Sequence, residues 1–250
     1  LLYAWQGGMV GGYGTADVLL GKTCPSGRLT DTIAYKITDY PSDANFGNRD
    51  RDLYEEDIYV GYRYFETAAK DRVRYPFGFG LSYTDFRTWD VSFSAEEKDA
   101  EITFTVQNIG TVPGKEVVQV YVTAPEGALS KPEKVLAGFA KTRELKPGLK
   151  EQMRIAIPYA SFASYDETGA SGFASSYILE KGEYLFHIGR TVRETEVAGS
   201  CTLEKTVCLA SLSQALAPVT PFERMRFIRE KDGAVHKVME AAPLRKKNPA

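Results

Sequence analysis

The chain has 250 residues, 43 % of them hydrophobic, which is enough to bury the core of one or two domains. Its formal net charge is −2, so no overall field favours nucleic acid or an acidic membrane surface, and we expect it to bind neither. No apolar run approaches the roughly 20 residues that a membrane-spanning helix needs. A small neutral ligand agrees best with this charge balance.

The cysteines and histidines do not form a recognisable site. Cys24, Cys201 and Cys208 occur without CxxC spacing, and only two histidines accompany them, which indicates neither a zinc site nor a disulfide framework. We therefore expect no metal, no cofactor and free thiols. Free thiols favour a reducing compartment, and hence a cytoplasmic protein.

Residues 1–37 have the pattern of the closing part of an α/β domain. Residues 1–5 predict a short buried strand, residues 9–20 a helix with an apolar stripe, and residues 28–33 the next strand. Gly21 suits a left-handed helix C-cap. The abrupt start is expected of a chain that has lost residues upstream. The early glycines lack GxGxxG order, so they indicate close helix–sheet packing and not a nucleotide site.

Residues 38–87 predict a connector. Its first part, residues 38–52, is polar and predicts a long surface loop, which either rims a cleft or is simply solvated. The alternating Tyr, Val and Ile of residues 53–65 predict a strand pair. Pro76-Phe77-Gly78-Phe79-Gly80 predicts a tight turn that large rings anchor to a neighbouring surface.

Residues 88–210 have an all-β pattern, with one face of each strand apolar. Strands are predicted near residues 102–106, 118–122, 135–141, 151–157, 176–179, 183–190 and 202–208. Lys146-Pro147-Gly148 and Glu180-Lys181-Gly182 predict hairpin turns. Seven strands in about 120 residues predict an immunoglobulin-like or fibronectin-like two-sheet sandwich, which makes the chain mainly β.

Residues 211–250 predict a basic tail with eight Lys or Arg against four Asp or Glu. Residues 222–230 predict a short helix, and Phe222, Met225 and Phe227 are expected to anchor the tail to the rest of the protein. The alternative is a nucleic-acid contact through Arg245-Lys246-Lys247.

Two long motifs carry a family resemblance. Asp57-Ile58-Tyr59-Val60-Gly61-Tyr62-Arg63-Tyr64-Phe65, followed by the segment from Tyr75 to Phe86, resembles the join between the α/β-sandwich and fibronectin-III-like domains of glycoside hydrolase family 3 β-glucosidases. The resemblance extends upstream to Trp5-Gln6-Gly7-Gly8 and downstream to about residue 209. It implies the same sandwich architecture that the strand pattern predicts.

The resemblance also implies where the chemistry lies. In such enzymes an Asp nucleophile comes from a TIM barrel and a Glu acid/base from the α/β-sandwich domain, and neither motif occurs in this sequence. No catalytic residue is therefore assigned, and the chain is expected to be inactive by itself. The resemblance implies that it supports the TIM-barrel and α/β domains of a retaining enzyme that acts on β-glucosides or oligosaccharides.

Few residues of the chain itself are candidates for a site. Trp5 and Gln6 lie at a predicted strand end, where α/β domains place ligands, although a packing role at the helix start competes. Glycosidases need two carboxylates that flank the scissile bond, and Glu55-Glu56-Asp57 is the local candidate, because its first and third acids would share a strand face. A solvated strand end explains these acids equally well. His187 and His236 are expected to have ordinary sheet-face or surface roles.

Two other interpretations stay open. One is a non-catalytic carbohydrate-binding sandwich that presents Tyr or Trp rings to a polysaccharide, although the aromatic residues alternate like core positions. The other is a permuted family member in which the barrel follows the sandwich, so that the segment after Pro218 leads towards it.

Overall fold

The structure is a computed structural model that describes Ala4, residues 6–230 and residues 232–244. Within these ranges the chain is mostly β-strand with two α-helices. The helices are α1 (Gly11–Leu19) and α2 (Tyr62–Ala68). The strands are β1 (Ile33–Ala34), β2 (Val73–Tyr75), β3 (Phe86–Ala95), β4 (Asp99–Asn108), β5 (Val117–Thr123), β6 (Val135–Lys141), β7 (Lys150–Pro158), β8 (Ser164–Asp166), β9 (Ser176–Leu179), β10 (Gly182–Gly189), β11 (Thr195–Leu203), β12 (Val207–Ser211), β13 (Glu223–Arg229) and β14 (Val235–Ala241).

Two antiparallel sheets form the predicted sandwich. One has the order β3-β4-β7 and the other β11-β10-β5-β6. Their facing side chains are almost fully buried and alternate with side chains on the outer faces of the sheets, of which those of β5 are buried as well. The facing side chains include Ile102, Phe104, Val106, Val118, Val120, Val122, Tyr184, Phe186 and Ile188. The mainly β fold class predicted from the sequence is confirmed.

Two strand predictions in this region need correction. The single strand at residues 202–208 is wrong, because β11 ends at Leu203 and the polar Glu204-Lys205 pair turns the chain out of the sandwich. β12 then pairs with β9 in a separate sheet of order β12-β9-β8. β3 was missed because a bulge between Trp89 and Ser92, with Asp90 at φ 56°, interrupts its two-residue alternation.

The two predicted hairpin turns are tight turns, but they connect strands of different sheets. Lys146-Pro147-Gly148 joins β6 to β7, and Glu180-Lys181-Gly182 joins β9 to β10, but each pair of strands belongs to different sheets. Gly148 has φ 80°, so the turn chemistry was correct. The hairpin prediction was wrong because a tight turn can also lead across the sandwich.

The connector differs most from prediction. Residues 55–58 form a turn and α2 follows, so the predicted strand pair is wrong. Gly61, the residue before α2, has φ 58°, a backbone conformation that favours glycine. In α2 the buried Phe65 and Glu66 fall on one helical face with Tyr62 and Ala69, so helical spacing overrides the strand propensity of the tyrosines.

The glycine–aromatic turn is an anchor, as predicted. The ring of Phe77 packs on Tyr62 with centroids 4.7 Å apart, and its carbonyl accepts a hydrogen bond from Val192 N–H at 3.1 Å. Gly78 has φ 84°, and a Cβ there would lie 2.7 Å from the Gln119 side chain. The turn therefore fixes the connector against the sandwich.

The N-terminal elements are shorter than predicted. α1 confirms the predicted helix, and Gly21 at φ 71° confirms its left-handed C-cap. Of the strand predicted at residues 28–33 only β1 remains, which pairs with β2, while Leu29 exchanges backbone hydrogen bonds with Gly78 and Phe79. The strand predicted at residues 1–5 lies outside the described residues, apart from Ala4. Residues 38–52 form a loop with two 3₁₀ turns, Ile37–Asp39 and Pro41–Ala44.

The C-terminal segment is a β-hairpin, β13–β14, and the predicted helix at residues 222–230 is wrong. In Glu-Arg-Met-Arg-Phe-Ile-Arg the polar and apolar residues alternate through Phe227, which is a strand period. Met225 and Phe227 are buried against Tyr59, so the predicted anchoring is confirmed for these two residues; Phe222 is only half-buried and lies outside this cluster. Arg245, Lys246 and Lys247 lie outside the described residues.

Candidate functional site

Of the two residues predicted at a cleft, Trp5 and Gln6, the structure describes only Gln6. Trp5 lies outside the described residues. Gln6 is exposed at a bend before α1. Their role as cleft residues stays a prediction.

The surface around α1 is apolar and uncovered. α1 buries none of its residues, and Met9 and Tyr13 are 105 % and 76 % exposed. Further large apolar side chains are exposed along residues 19–54, namely Leu19, Leu20, Tyr35, Ile37, Phe46 and Tyr54. Apolar side chains exposed in such number mark a surface that contacts another protein element.

The N-terminal segment and the connector are joined to the sandwich by ion pairs whose carboxylates are buried. Glu116, which is 1 % exposed, is bound by Arg28 from the N-terminal segment and by Arg190 after β10, the latter at 3.2 Å. Glu66 of α2 binds Arg193 Nε at 2.9 Å. Because breaking a buried pair leaves an uncompensated charge, these contacts hold the N-terminal segment and the connector in one orientation.

A groove of about 600 Å³ lies between the connector, the sandwich, the loop after β8 and the C-terminal hairpin. Its charged lining residues come from distant parts of the chain: Asp57, Arg63, Lys131, Asp166, Glu167, Arg224, Arg226 and Glu240. Its volume lies within the range of roughly 300–1,000 Å³ that small-molecule sites occupy. The groove is therefore a candidate binding site.

Arg224 of β13 holds the carboxylates of the groove together. Its Nη1 lies 3.2 Å from Asp57 Oδ2 and 2.5 Å from Glu167 Oε2, and its Nη2 lies 3.8 Å from Glu240 Oε1. Burial raises the pKa of Asp57, Arg224 opposes this shift, and the neighbouring Glu167 and Glu240 add to it.

The loop that carries Glu167 is shaped by the buried Asp166. One carboxylate oxygen of Asp166 accepts hydrogen bonds from Ser171 N–H at 2.7 Å and Ser171 Oγ at 2.6 Å, and the other accepts Gly169 N–H at 2.8 Å. Burial by itself would raise the pKa of Asp166, but these hydrogen bonds hold it below its usual value. Asp166 thus stays ionised and fixes the direction of Glu167.

The Asp57–Glu167 pair resembles a glycosidase pair in spacing but not in arrangement. Both carboxylates contact the same nitrogen, so they are close enough for a retaining pair, which needs roughly 5 Å. However, the Arg224 guanidinium lies between them, where the scissile glycosidic bond would have to lie. The pair therefore stabilises the groove and is not arranged to cleave a glycoside.

Of the Glu55-Glu56-Asp57 cluster, only Asp57 lines the groove. The expectation that Glu55 and Asp57 share a strand face is wrong, because residues 55–58 form a turn and Asp57 has φ 51°. Sequence reasoning missed Glu167, Arg224 and Glu240. The alternating arginines of β13 were the available signal, but the segment was interpreted as a helix.

The described residues contain no group of three or more His, Cys, Asp or Glu placed to hold a metal ion, and no helix long and apolar enough to cross a membrane. All three cysteines are free thiols.

His187 lies on β10 with its Nε2 3.0 Å from Thr123 Oγ1. Burial and the nearby Lys134 lower the pKa of His187 to about 4. His187 is thus a neutral sheet residue near pH 7, in agreement with prediction.

Comparison with known protein families identifies the chain. Residues 1–83 match the glycosyl hydrolase family 3 C-terminal domain, and residues 116–192 match the fibronectin type III-like domain. Over 248 residues the chain is 51 % identical to a β-glucosidase of Ruminococcus albus. The chain belongs to glycoside hydrolase family 3. It is also 44 % identical to β-glucosidase A of Butyrivibrio fibrisolvens over 263 aligned positions.

Solved structures of the family have the same fold. A β-glucosidase from Paenibacillus barengoltzii superposes with a TM-score of 0.91 at 44 % identity, over 97 % of this chain and 28 % of its own. β-Glucosidase 3B of Thermotoga neapolitana, in complex with α-D-glucose, gives a TM-score of 0.74 at 36 % identity, over 82 % of this chain and 28 % of its own. Because the first match covers nearly the whole chain, the hairpin β13–β14 belongs to the shared structure.

The family 3 chain described here is short compared with these relatives. It spans 26 % of the Ruminococcus albus protein and 31 % of the Butyrivibrio fibrisolvens protein, while those matches cover 97 % and 98 % of this chain. It therefore corresponds to one part of multidomain enzymes, and in those enzymes this part packs with other domains.

Proposed function

We propose that this chain is the supporting part of a family 3 β-glucosidase that hydrolyses terminal, non-reducing β-D-glucosyl residues with retention of configuration. The observation that carries this proposal is the near-complete match of the chain to about a quarter of proteins that are named β-glucosidases. In the part of the chain that the structure describes, the neighbouring carboxylates Asp57 and Glu167 of the groove are both bound by Arg224. The chain by itself is therefore inactive.

The partners in this proposal are the TIM-barrel and α/β domains of the same enzyme. The uncovered apolar side chains of α1 and of residues 35–54 supply the surface on which these domains pack. The ion pairs Arg28–Glu116 and Arg193–Glu66, whose carboxylates are buried, hold that surface at a fixed angle to the sandwich. The sandwich thereby sets the position of the domains that bind the β-glucoside.

A chimera tests the supporting role. The matching quarter of the Ruminococcus albus β-glucosidase is replaced by this chain, and hydrolysis of an aryl β-glucoside is measured. At 51 % identity the chimera is expected to retain hydrolysis. A matched control lacks the segment altogether and is expected to be inactive. A folded but inactive chimera would contradict the proposed role.

A further inference from the structure

The groove has an aromatic wall that the catalytic proposal does not use. Tyr165 of β8 and Tyr177 of β9 lie directly opposite each other in the antiparallel pair, with ring centroids 5.2 Å apart and planes inclined by 55°. They are 37 % and 44 % exposed and both line the groove, whereas Asp166 and Ile178, which follow them along the two strands, are buried. The small sheet therefore turns a tyrosine face towards the groove.

The opposite wall is polar and close to neutral. Its acids are Asp57, Glu167 and Glu240, and its bases are Arg63, Lys131, Arg224 and Arg226. Lys131 is already paired with the buried Glu180. The other three acids and three arginines balance each other, and Asp166, which also lines the groove, adds one negative charge that its own loop holds by hydrogen bonds. The groove therefore has only a small negative excess, which disfavours an acidic ligand.

The side chains of this wall keep hydrogen-bonding capacity towards the groove. Asp57 and Glu167 each direct one carboxylate oxygen at Arg224, and both side chains remain about a third exposed. Arg226 is similarly exposed, and its guanidinium contacts Glu240 at 3.1 Å and the Ala128 carbonyl at 3.1 Å. Acceptors and donors thus lie side by side along one edge of the groove.

These two walls select a class of ligand. An apolar ligand would desolvate the carboxylates without replacing their hydrogen bonds, which is costly. A charged ligand of either sign would meet a side chain of the same charge on this wall, which would repel it. A neutral sugar has an apolar C–H face that packs on tyrosine rings and hydroxyl groups that both donate and accept.

We propose that this groove binds a neutral oligosaccharide, with one pyranose ring on the Tyr165–Tyr177 face and its hydroxyls bound by Glu167, Asp57 and Arg226. The site is built from this chain alone. The proposal does not depend on the hydrolytic role, because it requires only the groove to be folded.

The test is a calorimetric titration of the chain with cellotetraose and laminaritetraose, and with tetragalacturonate as an acidic comparison. Binding of at least one neutral glucan is expected, weakened about tenfold by Tyr165→Ala combined with Tyr177→Ala. The single variant Tyr177→Ala, at a more exposed position, is expected to weaken binding in the same direction. Tyr35→Ala removes an exposed tyrosine outside the groove and is the matched control, with unchanged affinity expected.

Three results would overturn the proposal. They are the absence of neutral-glucan binding at millimolar concentration, equal affinity of the wild type and Tyr177→Ala, and preferred binding of tetragalacturonate. Circular dichroism of each variant shows whether it is folded, and if the double variant is not, Tyr177→Ala decides. Loss of hydrolysis in the chimera leaves the titration unaffected, so the two proposals fail separately.

Discussion

Tyr59 of the connector and Phe227 of the C-terminal hairpin pack edge to face, with ring centroids 4.7 Å apart and planes inclined by 79°. The hydroxyl of Tyr59 contacts Ser130 Oγ, which in turn donates to the Phe227 carbonyl at 2.8 Å. These contacts join the connector, the sandwich and the hairpin, which are three of the four parts that enclose the groove.

Replacement of Phe227 by alanine tests this junction. Loss of a buried phenylalanine leaves a cavity, and we expect the free energy of unfolding of the hairpin to fall by about 3 kcal/mol. Native-state hydrogen exchange of the β13 and β14 amides measures the change. The control is Ile228→Ala, at the adjacent exposed position, where we expect less than about 0.5 kcal/mol. Equal effects of the two substitutions would show that the junction does not hold the hairpin.

Glu116→Gln tests the buried link between the N-terminal segment and the sandwich. Arg28 and Arg190 both lose their charged partner, and we expect a loss of about 3 kcal/mol in unfolding free energy, measured by urea denaturation. Glu151→Gln, which breaks a 3.9 Å surface contact with Arg143, is the control and should cost less than about 1 kcal/mol. A Glu116 variant as stable as this control would refute the structural role of the link.

His187 predicts a dependence of stability on pH. Its pKa is about 4 in the folded chain and 6.5 in the reference state, so between these values the unfolded chain binds the additional proton. Stability from this residue is therefore present above pH 6.5 and is lost as the pH falls towards 4. Urea midpoints measured from pH 7 to pH 4.5 should fall less steeply for His187→Gln, whose amide can still bond Thr123. Parallel curves would contradict the assignment.

The exposed surface of α1 gives a prediction about partners. Replacing Tyr13 and Leu19 by serine should leave the stability of the isolated chain nearly unchanged, because both side chains are exposed there. In the chimera the same substitutions should reduce hydrolysis of the aryl β-glucoside. Phe139→Ser, at an exposed position of the sandwich, is the control and should leave both properties unchanged. The opposite pattern would place the domain contact on the sandwich.

The sandwich could be predicted from the sequence because its strands alternate in a simple period of two. Val118, Val120 and Val122 point to the core of the sandwich, as the pattern predicts. Gln119 and Tyr121 lie on the other face of β5, where the connector buries them against Gly78 and Tyr62. The connector could not be predicted in the same way, since the tyrosines of residues 59–64 satisfy both strand propensity and helical spacing. Only packing against the sandwich and hairpin decides between them.

The groove was beyond sequence analysis for a different reason. Asp57, Glu167 and Arg224 are separated by more than fifty residues at each step, and the hairpin alone brings them together. Because β13 was interpreted as a helix, the alternation of its arginines did not indicate that Arg224 and Arg226 lie on the same face of a strand. The tyrosine pair likewise depends on the register of β8 and β9, which short strands do not specify by themselves.

The most direct test of the central claim is the hydrolysis of an aryl β-glucoside by the folded 250-residue chain alone. The claim is that the chain supports a catalytic centre without containing its carboxylate pair, so the rate should equal that of buffer. The claim would be contradicted if the chain hydrolysed the glucoside and if Asp57→Asn or Glu167→Gln abolished this hydrolysis. The carboxylates that Arg224 binds would then be the catalytic pair.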